Sequence, residues 1–151
     1  MPYADEAQYR TALEAYLALH EVFYRFYGSI RAQHSVLGDR NAALPFDREA
    51  IAANERDLAV MAADLVPALA RACGDTGRYV QRLARTLEEI GAAHAALALG
   101  TFDGRLTDQA YVDVDNVLHD LLRHREMYPR AFDEVYAGAP PEALTRRSPP
   151  L

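Results

Sequence analysis

The sequence has no tryptophan and a single cysteine, Cys73, among its 151 residues. One cysteine can form neither an intramolecular disulfide nor a cysteine-based zinc cage within the chain, so we expect a reducing compartment. The chain also lacks a basic start followed by an apolar run, and it contains no stretch of about 18 uncharged apolar residues. We therefore predict a cytoplasmic protein that is neither exported nor inserted in a membrane.

Positive charge is also in short supply, because 16 basic residues face 22 acidic ones and give a formal charge of −6. Since sequence-independent binding to nucleic acid or anionic membranes relies on clustered basic residues, this balance argues against both as partners. One basic run is predicted on the outer side where the second and third helices meet. We expect it to be a solvated charged face, with docking of an acidic partner as the alternative; it consists of Arg71, Arg78, Arg82 and Arg85.

Motifs that would identify a reaction are absent. The sequence has no glycine-rich phosphate loop and no Gly-x-Ser-x-Gly turn around a nucleophilic serine. Neither the Glu-x-x-His motif of di-iron bundles nor the His-Glu-x-x-His motif of zinc proteases occurs. We therefore expect a protein without catalytic activity and without a cofactor, a divalent metal ion being the alternative.

Helical periodicity dominates the sequence, because apolar residues recur at spacings of three and four and no segment alternates with period two. Capping residues and glycines predict four long helices at about residues 6–36, 48–73, 76–100 and 107–137, the first of them capped by Asp5 with Gln8 three residues on. Short connections between successive helices favour antiparallel neighbours. We therefore predict an all-α protein, an antiparallel up-down-up-down four-helix bundle.

Two prolines and the carboxyl-terminal tail modify this prediction. Pro67 lies within the second predicted helix and Pro129 within the fourth. Each removes a backbone donor and crowds the preceding turn, so we expect a kink at both positions. Residues 138–151 are rich in proline and lack a core face, so we expect a disordered tail. The predicted bundle domain therefore covers residues 1–137.

The first helix has an apolar arc of about 220° on a helical wheel. Its narrow polar face carries two i,i+4 pairs, Arg10 with Glu14 and Glu21 with Arg25. An arc this wide needs more than two neighbouring helices. Either the end of the fourth helix covers it, through Phe132, Val135 and Tyr136, or a second copy of the chain does. We favour the homodimer because aromatic residues are enriched at interfaces; its predicted interface is Leu19, Val22, Phe23, Phe26 and Ile30.

Three histidines occupy apolar stripes, His20 and His34 in the first helix and His94 in the third. A buried imidazole without a partner costs about 1–3 kcal/mol, so each one needs a hydrogen bond, a ligand or a metal. Counting along the helices places His94 level with Asn54 and Tyr27. A buried polar layer of this kind fixes the register of a bundle, so we expect the histidines to be structural.

These positions also define an alternative function, a small-molecule or metal-binding bundle centred on His20, Asn54 and His94. Arg125 belongs to the alternative because a guanidinium in an apolar stripe needs an anion or an escape to solvent. The main prediction is an interaction or scaffold protein that associates with itself or with another protein. For the alternative, the predicted ligand-binding residues are Tyr16, Tyr27, Asn54, His94 and Arg125, and the predicted metal ligands are His20, Glu88 and His119.

Overall fold

The computed structural model of the chain describes residues 2–38, 48–74, 76–93 and 104–137. All regular secondary structure in these residues is helical and none of it is a strand, as the sequence predicts. Within the described ranges, no helix has the length and apolar character needed to cross a bilayer. The helices are α1 (Glu6–Gly38), α2 (Arg48–Val60), α3 (Val66–Ala72), α4 (Gly77–Ala93), α5 (Gly104–Arg123) and α6 (Pro129–Tyr136).

Helix α1 is the central element, since it contacts α2, α3, α5 and α6. It begins at the predicted cap, where an Asp5 side-chain oxygen accepts a hydrogen bond from the Gln8 amide at 2.8 Å. The wide apolar arc of α1 therefore has more than two neighbours, as the sequence predicts. Its fully buried side chains include Tyr9, Leu13, Tyr16, Leu19, Phe23, Phe26 and Tyr27.

Pro129 lies at a helix start, whereas Pro67 lies within the continuous helical stretch of residues 48–72, in which the backbone stays helical through Leu65 and Val66. A π-helical turn, Met61–Leu65, precedes Pro67, and in it the Val66 amide donates to the Met61 carbonyl. Pro67 follows in the first turn of α3, so the π turn changes the regular i to i−4 hydrogen-bond pattern just before the proline ring, which itself lacks an N–H. A π turn thus stands where the sequence predicts a kink.

The fourth predicted helix differs from the prediction at both ends. Helix α5 begins at Gly104 rather than at Thr107, and Thr107 is buried within its first turns. After α5, a 3₁₀ turn, Arg125–Met127, leads to α6, in which Pro129 is the first residue. Because the fixed φ of proline suits this position, the end of the predicted helix is a separate helix and not a kinked continuation.

Helix α6 packs against the amino-terminal part of α1. A Glu6 carboxylate oxygen accepts a hydrogen bond from the Ala131 amide at 2.9 Å and so caps α6. The rings of Tyr9 and Tyr128 stack with centroids 4.7 Å apart, and Tyr128 donates to the Tyr3 carbonyl at 3.3 Å. The chain itself therefore covers this part of α1, and the covering side chains include Phe132, Val135 and Tyr136.

Helices α4 and α5 share the largest contact between two helices. The inner face of α4 repeats apolar residues at spacings of three and four, which is the pattern of an amphipathic helix. Burying each large aliphatic side chain contributes about 1.5–3 kcal/mol. This contact leaves the opposite face of α4, with its arginines, toward solvent; the buried residues are Val80, Leu83, Leu87 and Ile90.

Candidate functional site

Tyr16 and His20 lie one turn apart on α1 in a buried polar layer. The Tyr16 hydroxyl is 3.4 Å from Nδ1 of His20, and the His20 and Tyr24 ring centroids are 4.3 Å apart. Tyr111 of α5 extends this layer, with its ring centroid 5.6 Å from that of Tyr24. The imidazole, which is only 8% exposed, therefore has its contacts within the chain.

Burial raises the pKa of Tyr16 well above its usual value, and Tyr24, Tyr136 and Asp115 strengthen the effect. Desolvation penalises the phenolate because the apolar surroundings stabilise its charge poorly. Tyr16 is therefore neutral at physiological pH. It can donate or accept a hydrogen bond in this layer, but it cannot serve as a base there.

The predicted pocket residue Tyr27 connects α1 to α5. Its hydroxyl donates to a carboxylate oxygen of Asp108 at 2.8 Å, and the Arg31 guanidinium is 3.4 Å from the same oxygen. Burial, together with this hydrogen bond, raises the pKa of Tyr27 to about 12. Tyr27 therefore stabilises a contact between two helices.

Asn54 of α2 is completely buried, and neither polar atom of its carboxamide has a hydrogen-bond partner among the described residues. Leaving a buried polar group unsatisfied costs about 1–3 kcal/mol. His94, its predicted partner, and the side chain of His34 lie outside the described part of the chain. By contrast, Asp57, one turn further along α2, accepts two hydrogen bonds from Arg25, at 2.7 and 3.1 Å.

The predicted metal ligands do not converge. His20, Glu88 and His119 all belong to the described residues, and no group of three candidate metal ligands occurs there. Glu88 is exposed on α4, whereas Nδ1 of His119 lies 3.5 Å from a carboxylate oxygen of Asp115 on the same helix. Counting along the helices predicts that these three residues lie at a similar height in the bundle. It does not predict that their side chains point toward one another, which a metal site requires.

Arg125 lies in the 3₁₀ turn after α5 and is exposed. Because α5 ends before Arg125, the guanidinium does not occupy the predicted apolar stripe and reaches solvent. Together with His119 and Arg123 it lines an open surface cleft of about 300 Å³. The part of this cleft formed by described residues includes neither Tyr16 nor His20.

The predicted interface residues are covered within the single chain. Leu19, Phe23 and Phe26 are fully buried, Ile30 is 1% exposed, and Val22 is half-buried. Helix α1 contacts α2, the π-helical turn, α3, α5 and α6, all of the same chain. The aromatic face of α1 is therefore not an exposed surface.

A surface groove of about 370 Å³ runs between α1 and α6. Its apolar lining comes from Leu17 and Val135, which are half-buried. Its charged lining comes from Arg10, Glu14 and Glu134, and Arg10 forms an ion pair with Glu134. The sequence does not predict this groove, because both apolar residues fall within ordinary apolar stripes and only the packing of α6 leaves them partly open.

Comparison with family models, with curated proteins and with solved structures finds no match for this chain. No property of a known family can therefore be transferred to these residues. The geometry of the groove, of Asn54 and of the arginines on α4 is the basis on which a function can be assigned.

Proposed function

We propose that this protein functions by association, as a homodimeric and non-catalytic interaction protein of the cytoplasm with an antiparallel helical bundle. The groove between α1 and α6 carries the proposal. Its lining combines two apolar residues, Leu17 and Val135, with three charged ones, Arg10, Glu14 and Glu134. Protein interfaces likewise combine apolar residues that exclude water with polar residues around them.

A second copy of the chain fits this groove because its lining contains charges of both signs. Around a twofold axis the same patch meets itself, so a basic residue of one copy can face an acidic residue of the other. Arg10, which also pairs with Glu134 of its own chain, provides the positive charge, and Glu14 and Glu134 provide the negative charge. The dimer then uses the outer side of α1, since the aromatic residues of the inner side are already buried.

Non-catalytic action is supported by the roles of the polar residues in the described part of the chain. Tyr16 and His20 contact each other, Tyr27 bonds to Asp108, and His119 lies beside Asp115. These contacts orient helices and surface side chains. None of them combines a polarised nucleophile with an open pocket, which is the arrangement that covalent catalysis uses.

Two glutamate substitutions on α1 test the dimer. Leu17→Glu adds a carboxylate to the apolar lining of the groove, beside Glu14 and Glu134, whereas Ala18→Glu adds the same charge at the adjacent exposed position. Native mass spectrometry should detect dimers of the wild type and of Ala18→Glu but monomers of Leu17→Glu. Circular dichroism should give the same helical content for all three. Equal dimer fractions in both variants would contradict the proposal.

A second candidate function, binding of a small polar molecule between the helices, is favoured by Asn54 alone. Its buried carboxamide offers two donors and one acceptor without a partner among the described residues. Native mass spectrometry of protein purified without denaturation should then detect a bound molecule that Asn54→Leu loses while remaining folded. A wild type without an adduct, together with a more stable Asn54→Leu variant, would assign Asn54 a structural role only.

A further inference from the structure

The arginine ridge of α4, defined as Arg78, Arg82 and Arg85, is a concentration of positive charge on an acidic protein. Residues spaced i, i+4 and i+7 share one face of a helix, and these three span about 10 Å along its axis. All three are exposed to solvent. The chain as a whole has a formal charge of −6, so the ridge is opposite in sign to the net charge of the protein.

Two guanidiniums of the ridge are held in place by Tyr79. The Arg78 Nη2 atom donates to the Tyr79 hydroxyl at 2.8 Å, and its Cζ atom lies 4.6 Å from the centre of the tyrosine ring. The Cζ atom of Arg82 lies 6.0 Å from the same ring centre. Such cation–π contacts restrict the side chains before any partner arrives, which lowers the entropy cost of binding.

A buried carboxylate lies beneath the ridge. Asp113 of α5 has no exposed surface, and its Oδ1 atom is 3.9 Å from Nη1 of Arg82. The same oxygen accepts a hydrogen bond from Gln109 at 3.2 Å. Burial raises the pKa of Asp113, whereas Gln109, Arg82 and Arg85 lower it. Asp113 offsets one of the three guanidiniums, and Glu88 and Glu89 lie one turn beyond Arg85, so the excess of positive charge is concentrated at the Arg78 end of the ridge.

We propose that the arginine ridge binds a short acidic segment of a partner protein, whose carboxylates pair with the guanidiniums. Arginine is suited to this role because its planar fork can bond to both oxygens of a carboxylate. Glu88 and Glu89 are exposed one turn beyond Arg85, and they limit the ridge to a short acidic stretch. A nucleic acid extending past them would be repelled by these residues and by the acidic surface of the protein.

The ridge and the groove of the proposed dimer are built from different helices, so the two proposals can fail independently. Fluorescently labelled poly-L-glutamate serves as the probe, and anisotropy at low ionic strength measures its binding. We expect the wild type to bind. The triple variant Arg78→Gln, Arg82→Gln, Arg85→Gln should bind with an affinity that is lower by a factor of about ten or more. A control variant with the same charge change at exposed arginines elsewhere should bind like the wild type; it replaces Arg56, Arg105 and Arg130 by glutamine.

The double variant Arg78→Gln, Arg85→Gln retains Arg82 and therefore keeps its ion pair with the buried carboxylate of Asp113. It should fold like the wild type by circular dichroism and bind poly-L-glutamate with intermediate affinity. Equal weakening in the ridge and control variants would mean that affinity follows net charge. Tighter binding of polyuridylate would instead assign the ridge to nucleic acid. Either result, or no binding of poly-L-glutamate at all, overturns the proposal.

Discussion

Both sides of α1 carry apolar side chains, but these side chains have different surroundings. On the inner side Phe23 and Phe26 are fully buried, and four other helices contact α1. On the side that faces the groove, Leu17 remains half-buried beside α6. The width of an apolar arc therefore indicates how many neighbours a helix has. It does not indicate whether those neighbours belong to the same chain.

Truncating a side chain on the inner side of α1 should destabilise the protein most, because these side chains are fully buried. Phe26→Ala removes a fully buried ring, and truncations of this kind cost about 3–5 kcal/mol because a cavity remains. Urea unfolding followed by circular dichroism measures the loss in the free energy of unfolding. Val22→Ala, at a half-buried position on the same helix, should cost clearly less. Similar losses for the two variants would remove the distinction between buried and half-buried positions on α1.

Breaking the ion pairs that connect α1 to its neighbours should reduce the free energy of unfolding by a smaller amount. Arg25→Gln removes the bidentate partner of the Asp57 carboxylate, which is only 8% exposed. We therefore expect the free energy of unfolding to fall by about 1–3 kcal/mol. Arg10→Gln breaks the pair with Glu134, whose members are both well solvated, and should cost less than about 1 kcal/mol. Urea unfolding of both variants measures the difference. A larger loss for Arg10→Gln would reverse the comparison.

The next effect, smaller than that of Arg25→Gln, concerns the hydrogen bond of Tyr27 on the inner side. Its pKa is raised from 10.0 to about 12, so between these values the folded protein holds the phenolic proton more tightly than the unfolded chain does. Stability contributed by Tyr27 is therefore complete below pH 10 and lost as the pH rises toward 12. Tyr27→Phe should cost about 0.5–1.5 kcal/mol at neutral pH, and this cost should shrink across that range. A cost that stays constant with pH would contradict the assigned bond.

Local features of the fold could be predicted from the sequence because the residues that determine them are close in the chain. The all-helical class and the Asp5 cap with Gln8 are confirmed. Contacts between helices could not be predicted in the same way. The sequence predicts pairs within α1, yet the arginines reach other helices: Arg10 bonds to Glu134 and Arg25 to Asp57 rather than to Glu14 and Glu21.

For the candidate site, too, the sequence indicates features within one helix but not the contacts between helices. The i,i+4 spacing of Tyr16 and His20 indicates their contact, and the apolar stripe of α2 indicates that Asn54 is buried. The groove depends on the break between α5 and α6 at Pro129, which redirects the chain across α1. Such a change of direction depends on tertiary packing, so neither periodicity nor capping indicates it.

Sedimentation equilibrium of the wild-type protein over a dilution series tests whether two copies of the chain associate. We expect the mass of two chains at high concentration and a decrease toward the mass of one chain on dilution. The mass of a single chain at every concentration would contradict the proposed association.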